Sequence, residues 1–158
     1  MQVERYERYW MWAATGMLAL FTGAIVATAV VGSAHPPSHS ETVDPETLDV
    51  SGEFASPGVV TGPDGRVTVV MRAEFYVFRP TVVRIPAGRP VTFRITSADV
   101  LHGFQVVGTN VNLTVAPGYV SQVTTTFDTP GEYLVVCNEY CGLAHHLMQG
   151  SIVVEPAR

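Results

Sequence analysis

Cys137-Asn-Glu-Tyr-Cys-Gly-Leu-Ala-His-His-Leu-Met148 gathers two thiols, the imidazole of His145 and a thioether into twelve residues. These are soft ligands. Thiolate and thioether favour copper, imidazole suits it too, and a weak Met completing a Cys/His set marks electron-transfer copper rather than a hydrolytic centre. Cys137 and Cys141 are four apart, His145 follows four later and Met148 three after that. A coiled, partly helical loop turns all four toward one point at that spacing. One copper needs one thiolate. Two thiolates bridging two coppers leave each metal short of ligands, and the loop itself offers only His145, Met148 and a backbone carbonyl near Glu139. A second imidazole is needed, and His102 supplies it from Ser97-Ala-Asp-Val-Leu-His-Gly-Phe104 if the fold brings that strand end beside the loop.

Around this loop the texture is that of a β-protein. From Val67 onward, short runs rich in Val, Thr, Phe and Tyr alternate with Pro and Gly. Strands are expected over 67–78, 81–85, 91–97, 104–107, 110–115, 121–127, 132–136 and 151–155, with turns at Pro86-Ala-Gly88, Pro117-Gly118 and Pro130-Gly131. Strands at this spacing, with no helical period and no repeat, predict an all-β sandwich. The Cys loop then joins its last two strands. Phe104, Leu143 and Leu147, beside the candidate ligands, are read either as a shell that keeps water out or as ordinary core. Asp99, three before His102, reads as an Asx turn at Val100.

On residue types alone two other readings stay open. Two cysteines outside the cytoplasm commonly form a disulfide. His102, Cys137, Cys141 and His145 match a Cys2His2 zinc tetrahedron, although zinc leaves Met148 unexplained. His146 is expected to point away from His145, and His35 and His39 lie in a polar linker.

The pattern Cys-x3-Cys-x3-His-x2-Met, preceded by Asp-Val-Leu-His, resembles the binuclear CuA site of cytochrome c oxidase subunit II, from about Val67 to the C-terminus. The resemblance implies two copper ions bridged by Cys137 and Cys141. Terminal imidazoles would come from His102 and His145, an axial thioether from Met148 and a weak carbonyl from Glu139. It implies an all-β, cupredoxin-like Greek-key sandwich or barrel. In function it implies the electron-entry subunit of a terminal oxidase, accepting electrons from cytochrome c or a small copper protein. Those electrons pass to haem in oxidase subunit I, where oxygen is reduced, so haem belongs only to the partner.

A membrane-tethered copper chaperone or storage domain is the alternative from another class, and it requires an exposed, exchangeable site. The CuA subunit of a nitric oxide reductase is a further alternative. A nitrous oxide reductase carries such a domain in a far longer chain.

The chain is 158 residues long, 47% apolar, with a formal net charge of −5. That is room for about one domain, and the apolar fraction is raised by one segment. Trp10 to Gly32 holds 23 residues without a charge. As a helix it is about 34 Å long, enough for a hydrocarbon core of about 30 Å. A cleaved signal peptide is the alternative, but its apolar region is shorter, so a retained anchor is expected. Tyr6, Tyr9, Trp10 and Trp12 crowd one end, where aromatics settle at headgroups. Arg5 and Arg8 precede the span and no Lys or Arg follows it until Arg66, which predicts a cytoplasmic N-terminus and an extracytoplasmic, periplasmic-side domain in a single-pass cell-membrane protein. One span, where the resembling family usually has two, is similar to the shorter subunit II of B-type haem-copper oxidases.

The expected organisation is a cytoplasmic tail (1–9), a membrane helix (10–32), an acidic, Pro-rich linker (33–59) and the metal domain (60–158). The linker carries Glu41, Asp44, Glu46, Asp49 and Glu53 with no Arg, and reads as an extended tether. Phe75-Tyr-Val-Phe78 stands where two-span members carry a Trp-rich stretch. Strand alternation puts Tyr76 and Phe78 on one face, as electron-entry candidates or as core. The Glu139 carboxylate resembles the group that reaches magnesium at the subunit I interface in two-span members. Here an Arg or metal partner is expected there. No phosphate loop, nucleophile triad or basic nucleic-acid patch appears.

Overall fold

The uncharged run forms one helix, α1 (Arg5–Val31), in the computed structural model, which describes residues 4–31 and 41–156. Its stretch Arg5–Val30 has a mean hydropathy of 1.8 and is long and apolar enough to cross a membrane. Tyr6, Tyr9, Trp10 and Trp12 are all exposed along it. The end of the expected span at Gly32, and the linker through Ser40 with His35 and His39, lie outside the described residues.

The rest is a two-sheet sandwich of ten strands: β1 (Gly58–Thr61), β2 (Val67–Glu74), β3 (Val77–Arg79), β4 (Val82–Pro86), β5 (Pro90–Ser97), β6 (His102–Val106), β7 (Asn112–Val115), β8 (Ser121–Thr126), β9 (Gly131–Val136) and β10 (Gln149–Glu155). One sheet runs β1-β2-β5-β8 with β3 on β2, and the other β4-β10-β9-β6-β7. β2 with β5 and β10 with β4 are parallel; the other pairs are antiparallel. The expected strands are present, with two differences. β1, not among the expected strands, straddles the expected boundary between linker and metal domain. The run 67–78 divides at Phe75-Tyr76 into β2 and β3.

Alternating Val, Ile and Phe side chains fill the space between the sheets. Phe104 on β6 is its centre, edge-on to Phe78 at 5.6 Å and tilted against Phe93 at 5.8 Å. The same alternation buries His102, Phe104 and Val106 completely on one face of β6. His102 is therefore held from inside the core at the strand's first residue.

Residues 41–57 are not an extended tether; they pack as a strap. Two short 3-10 turns, Pro45–Thr47 and Glu53–Ala55, deliver Leu48 and Phe54 onto the outer face of β2, where they bury with Val70. The acids find distant partners. Arg94 on β5 binds Glu53 through Nε at 2.9 Å and Glu41 through Nη2 at 2.6 Å, while Arg72 on β2 pairs with Asp49 and, at 2.9 Å, with Glu74. The Arg94 guanidinium holds the Glu41 carboxyl below its ordinary range. This cover explains why β2 is buried almost throughout, on both faces. Leu48→Ala is expected to cost about 2 kcal/mol or more, the low end for a buried Leu truncation, measured by urea unfolding of the full chain. An unpacked tether would show no change.

Candidate metal centre

The Cys loop runs from Cys137 to Met148 between β9 and β10, as expected, and its base is closed by the Cys137 N–H donating to the Met148 carbonyl at 3.1 Å. Both cysteines are free, and their sulfurs lie 3.8 Å apart. Around Cys137 Sγ stand His102 Nδ1 at 3.9 Å and the Glu139 carbonyl oxygen at 3.2 Å. Around Cys141 Sγ stand His145 Nδ1 at 3.6 Å and Met148 Sδ at 3.8 Å. The structure thus gathers all six sequence-predicted donor groups.

Their arrangement is paired rather than tetrahedral. The ligand atoms of His102, Cys137 and Cys141 lie within 4.8 Å of one another, and His145 approaches from the far side through Cys141. Each sulfur faces its own imidazole and its own weak donor, which suits two soft metal ions sharing two thiolates better than one zinc. Four of the donors are dry, His102, Met148, Cys141 and Cys137 at 0%, 2%, 5% and 6% exposed, while His145 and Glu139 are partly exposed. Burial, and then the neighbouring Cys137 sulfur, push the Cys141 thiol up to about 11. A metal bound there would displace that proton.

Two elements tune His102. Its Nε2 is 2.7 Å from Asp99 Oδ1, and a proton held there leaves the Nδ1 lone pair aimed at the sulfur side. Asp99 does form the expected turn with Val100 N–H at 2.6 Å, yet the same carboxylate also accepts Phe75 N–H at 2.6 Å. Sequence reading saw the turn and missed the role toward the histidine, for which the Asp-x2-His spacing was the available signal. Next to His102, Gly103 donates its N–H to Cys137 Sγ at 3.4 Å.

In the aromatic stretch the core alternative holds: Phe78 lies in the core and Tyr76 packs against it. With the strand broken at Phe75-Tyr76, Phe78 falls into the core, fully buried, and cannot itself meet a donor. Tyr76 is partly buried against the core, and two aromatics reach the surface beside the site: Phe75, at 52% exposure with its ring edge-on to His102 at 6.4 Å, and Tyr140, exposed with its ring 5.7 Å from that of His145. Leu143 and Leu147 do not seal the ligands but face outward with Tyr140 and Leu101, whereas Phe104 is core. His146 is exposed.

Comparison with known proteins agrees with this geometry. The family model for the periplasmic domain of cytochrome c oxidase subunit II matches residues 69–157. A cytochrome c oxidase subunit 2 of Thermus thermophilus is 43% identical over 155 residues, 95% of this chain and 92% of that protein. A second Thermus thermophilus protein of the same name is 46% identical over 123 residues, 76% of this chain and 90% of its own length. Among solved structures, a chain of a heme-copper terminal oxidase dimer superposes with a TM-score of 0.63 at 33% identity, covering 96% of this chain and 100% of that one. The periplasmic domain of cytochrome oxidase subunit II from Bradyrhizobium japonicum shares the fold, with a TM-score of 0.52 at 17% identity over 56% of this chain and 83% of that one. The sandwich is therefore cupredoxin-like, and its Cys loop lies within the matched segment. With the match running over more than half its length and nearly the whole of a relative aligned to it, the chain belongs to the cytochrome c oxidase subunit II family, a subunit of an oxidoreductase complex.

Proposed function

We propose that this chain is the electron-entry subunit of a haem-copper oxidase and that its Cys loop holds two copper ions as a CuA centre. One observation carries the reading: two buried sulfurs 3.8 Å apart, with His102 and the Glu139 carbonyl beside one and His145 and Met148 beside the other. Bound there, a copper pair supplies a one-electron relay whose charge is spread over two metals. The protein contributes the constraint. Asp99 holds the His102 ring, Gly103 N–H tempers charge on Cys137 Sγ, and the stiff sandwich keeps the donors in one compromise arrangement, so little reorganises when an electron arrives.

By this reading α1 anchors the chain with its N-terminus in the cytoplasm and the domain on the periplasmic side, and electrons pass to haem in subunit I. The donor is cytochrome c or a small copper protein. It meets an uncharged rim of Phe75, Leu101, Tyr140, Leu143 and Leu147, all exposed, while the entry role sketched for Tyr76 and Phe78 moves to Phe75. The Glu139 carboxylate, on a residue whose carbonyl turns to the sulfur, is left for the subunit I interface. Burial of the donors counts against a chaperone or storage role, which needs an exchangeable site. Copper titration of the full chain in detergent is expected to reach two ions per chain. Its electron paramagnetic resonance spectrum should show one electron shared equally by two copper nuclei; a single-copper spectrum, or one tightly held zinc, overturns the reading.

A further inference from the structure

Phe75 and Tyr76 stand between β2 and β3, in the sheet that carries no metal donor, yet together they reach both histidine-bearing segments. Phe75 N–H binds Asp99, which holds His102. Tyr76 reaches the other half. Its hydroxyl accepts the Leu143 N–H at 3.1 Å, and its ring lies against Gly142 so closely that a Cβ there would meet Tyr76 Oη at 2.6 Å and Cε1 at 3.1 Å. Gly142 also has φ +135°, a conformation side chains rarely adopt. The Gly142 carbonyl in turn accepts the His145 N–H at 3.1 Å. A continuous path thus runs from the Tyr76 hydroxyl, through Leu143 and Gly142, to the backbone of His145. It holds the short turn that sets the reach from Cys141 Sγ to His145 Nδ1.

We infer that Tyr76 is a positioning residue: its hydroxyl pins the 141–145 turn to the opposite sheet and so holds His145 at the metal centre. The inference deepens the two-copper reading above and rests on it for the metal readouts only. The turn has little else to hold it, since Leu143 is 89% exposed and has no side-chain packing to lose. Removing the hydroxyl leaves the ring, and with it the contact to Gly142, in place.

Tyr76→Phe in the full chain separates this from a general loss of stability. A lost neutral hydrogen bond of ordinary size corresponds to a change of roughly tenfold. In the metal-free chain, amide exchange at Leu143 and His145 is expected to accelerate by about that factor, while the amides of Gly103 and β10 keep their rates. In the copper-loaded chain, release to a competing chelator should quicken by a similar factor, and the hyperfine pattern should become unequal between the two nuclei. Tyr76→Leu, which also removes the ring, should enlarge each effect. Unchanged exchange at Leu143 and His145 in Tyr76→Phe overturns the inference, as does acceleration spread evenly over the domain. The exchange measurement needs no metal, so failure of the copper assignment itself would appear separately, as a spectrum with no shared electron in the parent chain.

Discussion

Cys137→Ser is expected to abolish the two-copper centre, and Cys141→Ser to do the same. Each sulfur anchors one half of the site: Cys137 Sγ faces His102 and the Glu139 carbonyl, Cys141 Sγ faces His145 and Met148, and only 3.8 Å separates the two. A hydroxyl is a harder and far less acidic ligand than a thiol, and cannot bridge two soft ions. Copper should fall from two ions per chain to at most one, and the shared-electron spectrum should vanish. The fold should survive, because Ser is nearly the same size and the core of Phe78, Phe93 and Phe104 does not depend on the sulfurs. Met148→Leu provides the contrast. It removes a weak donor from one side only, so two coppers should remain with a shifted potential. A shared-electron spectrum from either serine variant refutes the bridging assignment.

Gly103→Ala is the second large effect, and it acts through backbone. A Cβ at Gly103 would lie 2.0 Å from Asn138 Oδ1 and 2.8 Å from the backbone nitrogens of both Asn138 and Glu139. The Asn138 side chain can swing away, giving up its hydrogen bond to Asn112 Oδ1. The two nitrogens cannot. The start of the Cys loop must move off β6, taking Cys137 Sγ from the Gly103 N–H and from His102 Nδ1. Overpacking of this kind costs about 1–3 kcal/mol, read by urea unfolding, and copper affinity measured against a chelator should fall at least tenfold. Gly58→Ala is the control: a Cβ there meets nothing within 4 Å, and only a small change is expected. Equal behaviour of the two variants would show that the approach of β6 to the loop does not govern the site.

The proposed metal donors were legible because five of the six, Cys137, the Glu139 carbonyl, Cys141, His145 and Met148, fall within one loop, where short spacing constrains geometry almost alone. The strands were legible because Val, Thr and Phe runs between Pro and Gly carry their period locally, as was the apolar helix. What stayed hidden depended on partners far along the chain. Glu41, Asp49 and Glu53 read as a solvated tether because nothing nearby neutralises them; only the pairing of β2 with β5 sets Arg72 and Arg94 on the face where the strap lies. Phe78 is core rather than an entry aromatic because the break at Phe75-Tyr76 resets the two-residue period: β2 buries Val67, Val69, Met71 and Ala73 in the core, and β3 buries Phe78. Asp99 looked like a turn residue, which it is. That the turn oxygen, Oδ1, also holds His102 while the second oxygen takes the Phe75 N–H depends on packing one sheet over the other. The sequence by itself determined which atoms are offered to the metal, since ligand identity is a property of residue type and local spacing. The tertiary structure alone decided what holds them in place, since contacts between sheets depend on register and layer packing that no local pattern encodes.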